Sequence, residues 1–126
     1  MWMMNGEWMK PSAVEEIDLA SGRDEPVFIS PITAWEVGLL AMKGRFHSRY
    51  APQRWFEVLL AMPQIRFCEM PPHVLLQSSF LPGKPPREPS DRIIAATARE
   101  YGFTVMTRDR ALLDYAREGH LRALEC

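Results

Sequence analysis

Short apolar runs alternate with longer stretches of helical periodicity along this chain. The runs are typical of buried strands, because each spans only a few residues and is bounded by turn residues. The predicted strands are Val27–Ile29, Ile65–Cys68, Phe103–Met106 and Leu121–Leu124. Helices are predicted from Ser12, from Ser30 to Lys43, from Gln53 to Met62, from Pro71, from Ser90 to Tyr101 and over Ala111–Ala116. Strands that alternate with helices predict a single α/β domain over residues 1–126, with a parallel sheet flanked by helices.

The stretch Glu88–Asp109 places an acidic residue at each end of a helix-and-strand unit. Ser90 is predicted as the N-cap of the helix, and Asp91 falls in its first turn. Gly102 is predicted to end the helix in the left-handed conformation. A short strand follows and leads to Asp109. One carboxylate therefore lies where a helix begins, and the other lies just after a strand ends.

Three acids from separate elements are predicted to share one edge of the sheet. A helix antiparallel to the strands begins where the strands end, so Asp91 and Asp109 belong to the carboxyl edge, where open α/β sheets bind ligands. Glu36 follows the strand Val27–Ile29 and belongs to the same edge. Hard carboxylate oxygens suit a divalent cation such as Mg²⁺. The alternative is structural: Asp is favoured at helix N-termini, and Glu36 could form a capping box with Thr33.

Composition restricts the class of protein. The 126 residues are 47% hydrophobic and 25% charged with a net charge of −1, so any polyanion must meet a local patch of cations. The two cysteines, Cys68 and Cys126, show no zinc-site spacing and are consistent with a reducing, cytoplasmic location. No apolar run approaches the roughly 18 residues of a membrane span. The first ten residues lack the apolar core of a signal peptide.

Three motifs resemble the PIN-domain family, and most closely its VapC-type toxins. They are S-x-x-x-A-W-E at Ser30–Glu36, P-x-D-R at Pro89–Arg92 and T-x-D at Thr107–Asp109. The similarity extends over nearly the whole chain from Trp2. The family's usual D-P-x-D-R has Glu88 in place of its first aspartate here, which is a conservative departure.

The resemblance implies an Mg²⁺- or Mn²⁺-dependent endoribonuclease. Matched residue by residue, the metal-site positions are Glu36, Asp91 and Asp109, and Thr107 is expected to orient a ligand or a water molecule. The cations expected near the acids, for RNA phosphates or for ion pairs, are Lys43, Arg45, Lys84, Arg87, Arg92 and Arg108. The partners implied are an RNA substrate, a small antitoxin protein and a second copy of the chain in a homodimer.

One departure from the family lies at the start of the chain. Family members begin with a short strand that ends in an Asp-Thr pair, whereas this sequence begins at the following segment, Met1–Glu7. The expectation is therefore a chain that lacks the first strand and its metal-site aspartate. Two other functions remain open: a catalytically impaired toxin that binds its antitoxin, and a different Mg²⁺-dependent phosphoryl-transfer enzyme such as a phosphatase.

Histidine and aromatic side chains are expected to be structural. His47, His73 and His120 lie in a loop, a proline-started helix and a turn, where none is placed as a catalytic base. The aromatic residues Trp35, Trp55 and Phe56 are predicted to lie in the core, since buried aromatics are commoner than platforms for stacked bases.

Overall fold

A computed structural model describes residues 11–23 and 25–126, and these form two compact units. Unit 1 contains Glu15–Glu69, and unit 2 contains Met70–Cys126 together with residues 11–14. The first described element is helix α1, Pro11–Gly22. Predictions that concern Met1–Glu7 lie outside the described residues. Among the helices of the described part of the chain, none is both long enough and apolar enough to cross a membrane.

Unit 1 pairs two strands in parallel and packs helices beside them. Strand β1, Val27–Ile29, pairs with strand β2, Ile65–Phe67, so that Val27 lies opposite Ile65. The helices between them are α2, Ile32–Met42, and α3, Pro52–Leu60. The core of this unit consists of Val37, Trp55, Leu59 and Ile65.

Unit 2 has the same parallel pairing in its carboxyl half. Its elements are helix α4, Pro72–Gln77; helix α5, Pro89–Tyr101; strand β3, Thr104–Thr107; helix α6, Arg110–Arg117; and strand β4, Arg122–Glu125. Strand β3 pairs with strand β4 from Thr104 opposite Arg122 to Thr107 opposite Glu125. Ala95, Leu112 and Tyr115 form its buried core, joined by the partly buried Leu81, Ile94, Val105 and Leu121.

The predicted α/β class and its parallel strands are confirmed. Strand β1 has the predicted bounds, and each of the other three strands differs from its prediction by one residue at one or both ends. Gly102 ends α5 at φ 68°, in the left-handed region, and its N–H bonds to the Ala98 carbonyl. This conformation is readily available to glycine because it has no Cβ.

The helices begin within one or two residues of their predicted starts, and two of these differences have a local cause. The N-cap of α5 is Glu88 and not Ser90, and its extended backbone (φ −66°, ψ 131°) is the conformation that a following proline imposes. Pro89 then occupies the first helical position, where its missing N–H costs nothing. Helix α2 begins at Ile32, two residues after the predicted start at Ser30, and the Ile32 N–H donates to Ser30 Oγ at 3.3 Å.

Candidate active site

Asp109 is the N-cap of helix α6, and hydrogen bonds fix both its side chain and its backbone. Its Oδ1 accepts a hydrogen bond from the Leu112 N–H at 2.9 Å, which caps α6. Its own N–H donates to Thr107 Oγ1 at 3.0 Å. The capping role considered in the sequence analysis is therefore real. Within the described residues Oδ2 makes no hydrogen bond, so one oxygen of this exposed carboxylate remains available to a ligand.

Asp91 lies in the first turn of α5, two residues after Pro89. The first N–H groups of a helix have no partner within it, and the helix dipole adds positive potential there. A carboxylate at this position is therefore stabilised as an anion. Asp91 is half-buried, which limits the directions from which solvent reaches its side chain.

Helices α5 and α6 contribute side chains to the same buried core of unit 2. Ala95, one turn after Asp91, is buried in the same cluster as Leu112, whose N–H is capped by Asp109. Ile94 and Val105 pack against this cluster, which ties the start of α5 to strand β3. That Asp91 and Asp109 lie together at the carboxyl edge of β3 stays a prediction.

Glu36 belongs to unit 1, in the second turn of α2. Its Oε1 atom is shielded from solvent. The capping box considered between Thr33 and Glu36 does not form, because α2 begins at Ile32 and its N-cap has no side-chain hydrogen bond. Glu36 is therefore a helical residue that takes no part in a capping box with Thr33.

The donor types of these acids fit a hard divalent cation. In residues 11–23 and 25–126, however, no three His, Cys, Asp or Glu side chains form a group able to hold a metal ion. Of the three predicted metal ligands, unit 2 contains Asp91 and Asp109, and both lie at helix starts. Glu36, Asp91 and Asp109 together remain a prediction for the metal site.

The two arginines beside these acids bind backbone carbonyls. Arg92 donates from Nε to the Ser78 carbonyl at 2.9 Å, and its other nitrogens donate to the Pro86 and Ser79 carbonyls at 3.2 and 3.4 Å. Arg108 donates from Nε to the Cys126 carbonyl at 3.0 Å. The planar guanidinium suits several carbonyls at once. Arg92 in particular orders the chain that precedes α5.

Thr107 and the histidines have structural surroundings. Thr107 is buried, and its hydroxyl accepts the Asp109 N–H, so it orients the carboxylate residue itself. His73 Nε2 lies 3.2 Å from Glu100 Oε1 on the surface. His120 stacks on Tyr115 with ring centroids 4.7 Å apart.

The aromatic predictions are correct for two residues and wrong for one. Trp55 is 1% exposed, and Phe56 packs beside it with ring centroids 5.0 Å apart. Trp35, by contrast, is 51% exposed. Helix α2 is apolar on most of its surface, so its pattern does not reveal which side is buried.

Sequence reasoning did not identify Tyr115. Its hydroxyl donates to the Pro82 carbonyl at 2.6 Å, across 33 positions of sequence. Burial raises the pKa of Tyr115, and the guanidinium groups of Arg99 and Arg92 partly oppose this effect. No local pattern signals such a contact, because the two partners lie in different elements.

Comparison of the sequence with known proteins identifies the family of this chain. The PIN domain family matches residues 9–118. This chain belongs to the PIN-domain family. It is 27% identical over 111 residues to Ribonuclease VapC22 of Mycobacterium tuberculosis (strain ATCC 25618 / H37Rv), and this alignment covers 88% of this chain and 81% of the relative. No solved structure matches this PIN-domain chain. The predicted resemblance to VapC-type members of the family is confirmed.

Proposed function

We propose that this PIN-domain chain is a VapC-type endoribonuclease, the toxin of a type II toxin–antitoxin pair, and that it requires Mg²⁺ or Mn²⁺. The observation that carries the proposal is that Asp91 and Asp109 lie at the starts of helices α5 and α6, whose residues Ala95 and Leu112 belong to one buried core. The name and sequence of the mycobacterial relative support the substrate class.

The chain's own residues have separable tasks in this reaction. Glu36, Asp91 and Asp109 would hold the divalent ion, directly or through water. The bound ion supplies charge stabilisation at the scissile phosphate and favours deprotonation of water. Thr107 fixes the backbone of Asp109, and the cap to Leu112 fixes its Oδ1. No histidine is needed as a base, which agrees with the structural surroundings of His73 and His120.

The test is cleavage of a mixed RNA substrate with Mg²⁺ or Mn²⁺, comparing the chain with Asp91→Asn. We expect the substitution to reduce cleavage by about two orders of magnitude or more, since a charged metal ligand is lost while the helix remains. Asp114→Asn is the matched control, because Asp114 is an exposed acid that pairs with Arg117 at 2.7 Å. Full activity of a folded Asp91→Asn variant would contradict the metal role of Asp91.

The second candidate is a catalytically impaired toxin that binds its antitoxin. Large apolar side chains on the surface of the described residues favour an interaction role, namely Trp35, Met42, Leu76 and Phe80. A folded chain that binds an antitoxin peptide but leaves RNA intact with either metal would favour this function over the first.

A further inference from the structure

The loop of residues 81–88 in unit 2 is anchored at its start by buried contacts. Leu81 packs against the cluster of Ala95, Leu112 and Tyr115. The next residue, Pro82, accepts the Tyr115 hydroxyl at 2.6 Å. Although the loop is rich in proline and lacks regular structure, its first two residues are fixed to the core of unit 2.

The middle of the loop passes close to the imidazole of His120. Gly83 has φ +68°, and a Cβ at this position would overlap His120 Nε2. His120 is in turn stacked on Tyr115. A side chain at position 83 would therefore require the imidazole or the loop to move, and the positive φ also favours glycine here.

The end of the loop is anchored by Arg92. Pro86 is buried, and its carbonyl accepts Arg92 Nη1 at 3.2 Å. The same guanidinium binds the carbonyls of Ser78 and Ser79, so it ties both sides of the loop to helix α5. The loop backbone is therefore braced before and after its turn, and between these anchors it passes close to His120.

Two cations project from this braced backbone. Lys84 lies between Gly83 and the Pro85-Pro86 pair, Arg87 lies just after it, and both are exposed. In the part of the chain that the structure describes, neither makes an ion pair or a side-chain hydrogen bond. This distinguishes them from Arg92 and Arg108, whose donors are occupied by carbonyls.

We propose that Lys84 and Arg87 bind phosphates of the single-stranded RNA substrate and position it at Asp91. This inference rests on the proposed function. Arg87 precedes Asp91 by four residues, so the loop ends at the helix start that carries the candidate metal ligand. A cation on a braced backbone loses less freedom when it binds a phosphate than one on a flexible loop does, and that favours binding.

The decisive measurement is the salt dependence of RNA binding. A short single-stranded RNA is titrated at 50 to 200 mM salt with the Asp91→Asn chain, which prevents cleavage, and with the same chain carrying Lys84→Gln and Arg87→Gln. Each phosphate contact contributes about 0.7 to the slope of log K against log salt. We expect the magnitude of the slope to fall by about 1.4 in the doubly substituted chain. Over this fourfold rise in salt, the parent's loss of affinity should therefore be about seven times as large as that of the substituted chain.

A matched pair of charge removals provides the control. Arg54 and Arg117 are exposed and pair with Glu57 and Asp114 at 2.9 and 2.7 Å. Arg54→Gln with Arg117→Gln changes the net charge equally and should leave the slope unchanged. An equal fall in this control, or an unchanged slope after the loss of Lys84 and Arg87, would overturn the inference.

The brace is tested without any change of charge. Gly83→Ala should displace the loop from His120 and weaken RNA binding severalfold. Gly102→Ala is the control, because Gly102 has the same φ of +68° but only an ordinary 3.7 Å contact with Arg122. Equal binding by both glycine variants would overturn the role of the brace.

Cleavage by the unsubstituted chain separates this inference from the proposed function. A chain that cleaves RNA while the slope is unaffected by loss of Lys84 and Arg87 contradicts only the assignment of these two cations. A chain that neither cleaves nor binds RNA overturns the proposed function, and the inference with it.

Discussion

Two substitutions at Asp109 separate its structural role from its proposed catalytic one. Asp109→Asn keeps a side-chain oxygen that can accept the Leu112 N–H, and asparagine is as good an N-cap as aspartate. It removes the negative charge that a metal ligand supplies. Asp109→Ala removes both the cap and the charge. The two variants should therefore differ in stability but agree in the loss of cleavage.

The magnitude of the stability difference follows from the cap. The bond from the Leu112 N–H to Asp109 Oδ1 is 2.9 Å long, and Leu112 is only 2% exposed. Replacing an N-cap aspartate by alanine costs about 0.5–2 kcal/mol of the free energy of unfolding. We expect about 1 kcal/mol here, because Thr107 Oγ1 still fixes the backbone of residue 109. In a protein of this size that lowers Tm by about 3–5 °C.

The assay combines thermal unfolding, followed by circular dichroism with and without Mg²⁺, with RNA cleavage. Asp109→Asn should melt within about 1 °C of the unsubstituted chain without metal, since surface changes that keep the cap cost little. It should also lose the increase in Tm that metal binding gives the unsubstituted chain. The reasoning is refuted if Asp109→Asn cleaves RNA normally, which would reduce Asp109 to a cap, or if Asp109→Ala is as stable as Asp109→Asn.

Two further predictions concern buried groups. Tyr115→Phe should lower the free energy of unfolding by about 0.5–1.5 kcal/mol at pH 7, because the hydrogen bond to Pro82 is lost. Burial raises the pKa of Tyr115, so the stabilisation from its neutral phenol persists below about pH 10 and is lost as the pH rises through the folded-state pKa. The stabilities of the two chains, measured by urea unfolding, should therefore converge at alkaline pH. The thiols of Cys68 and Cys126 are buried, and burial raises the pKa of each. Iodoacetamide should therefore label them slowly in the native chain and rapidly in urea, as measured by mass spectrometry. Rapid labelling of the native chain would contradict their burial.

The sequence was most informative where a local rule had no competitor. Val27–Ile29 is a short apolar run between prolines, and the structure places β1 at these residues. Gly102 follows a helical pattern and adopts the left-handed conformation expected of a C-terminal glycine. In both cases the determining interactions lie within a few residues of one another, so the sequence pattern contains them.

The predictions failed where two local preferences competed, or where a helix was apolar on most sides and its pattern did not show which side is buried. Ser90 is a good capping residue, but Pro89 before it prefers the first helical position, which moves the cap to Glu88. The exposure of Trp35 could not be predicted, because a largely apolar helix has no distinct polar side. The sequence indicated that α2 exists but not which of its faces is buried.

The contacts that order the candidate site were beyond sequence reasoning for another reason. Arg92 was considered as an ion partner of a neighbouring carboxylate, yet it binds carbonyls six to fourteen residues away. The Tyr115 bond to Pro82 spans 33 positions. Such contacts depend on how the elements of unit 2 pack, and neither residue spacing nor side-chain type reveals that packing.

The two explanations considered for Asp109, capping and metal binding, are compatible in physical terms. A metal ligand must hold its donor atom in a fixed direction, and hydrogen bonds to a ligating carboxylate commonly provide that orientation. The Leu112 N–H donates to Asp109 Oδ1, which restricts rotation of the carboxylate, and the Asp109 N–H donates to Thr107 Oγ1, which fixes the backbone that carries it. The cap thus gives Oδ2 a defined position before any ligand arrives. A helix N-terminus consequently orients an acid and also stabilises its charge, so an acid found there is no less suited to bind a metal for also being a cap.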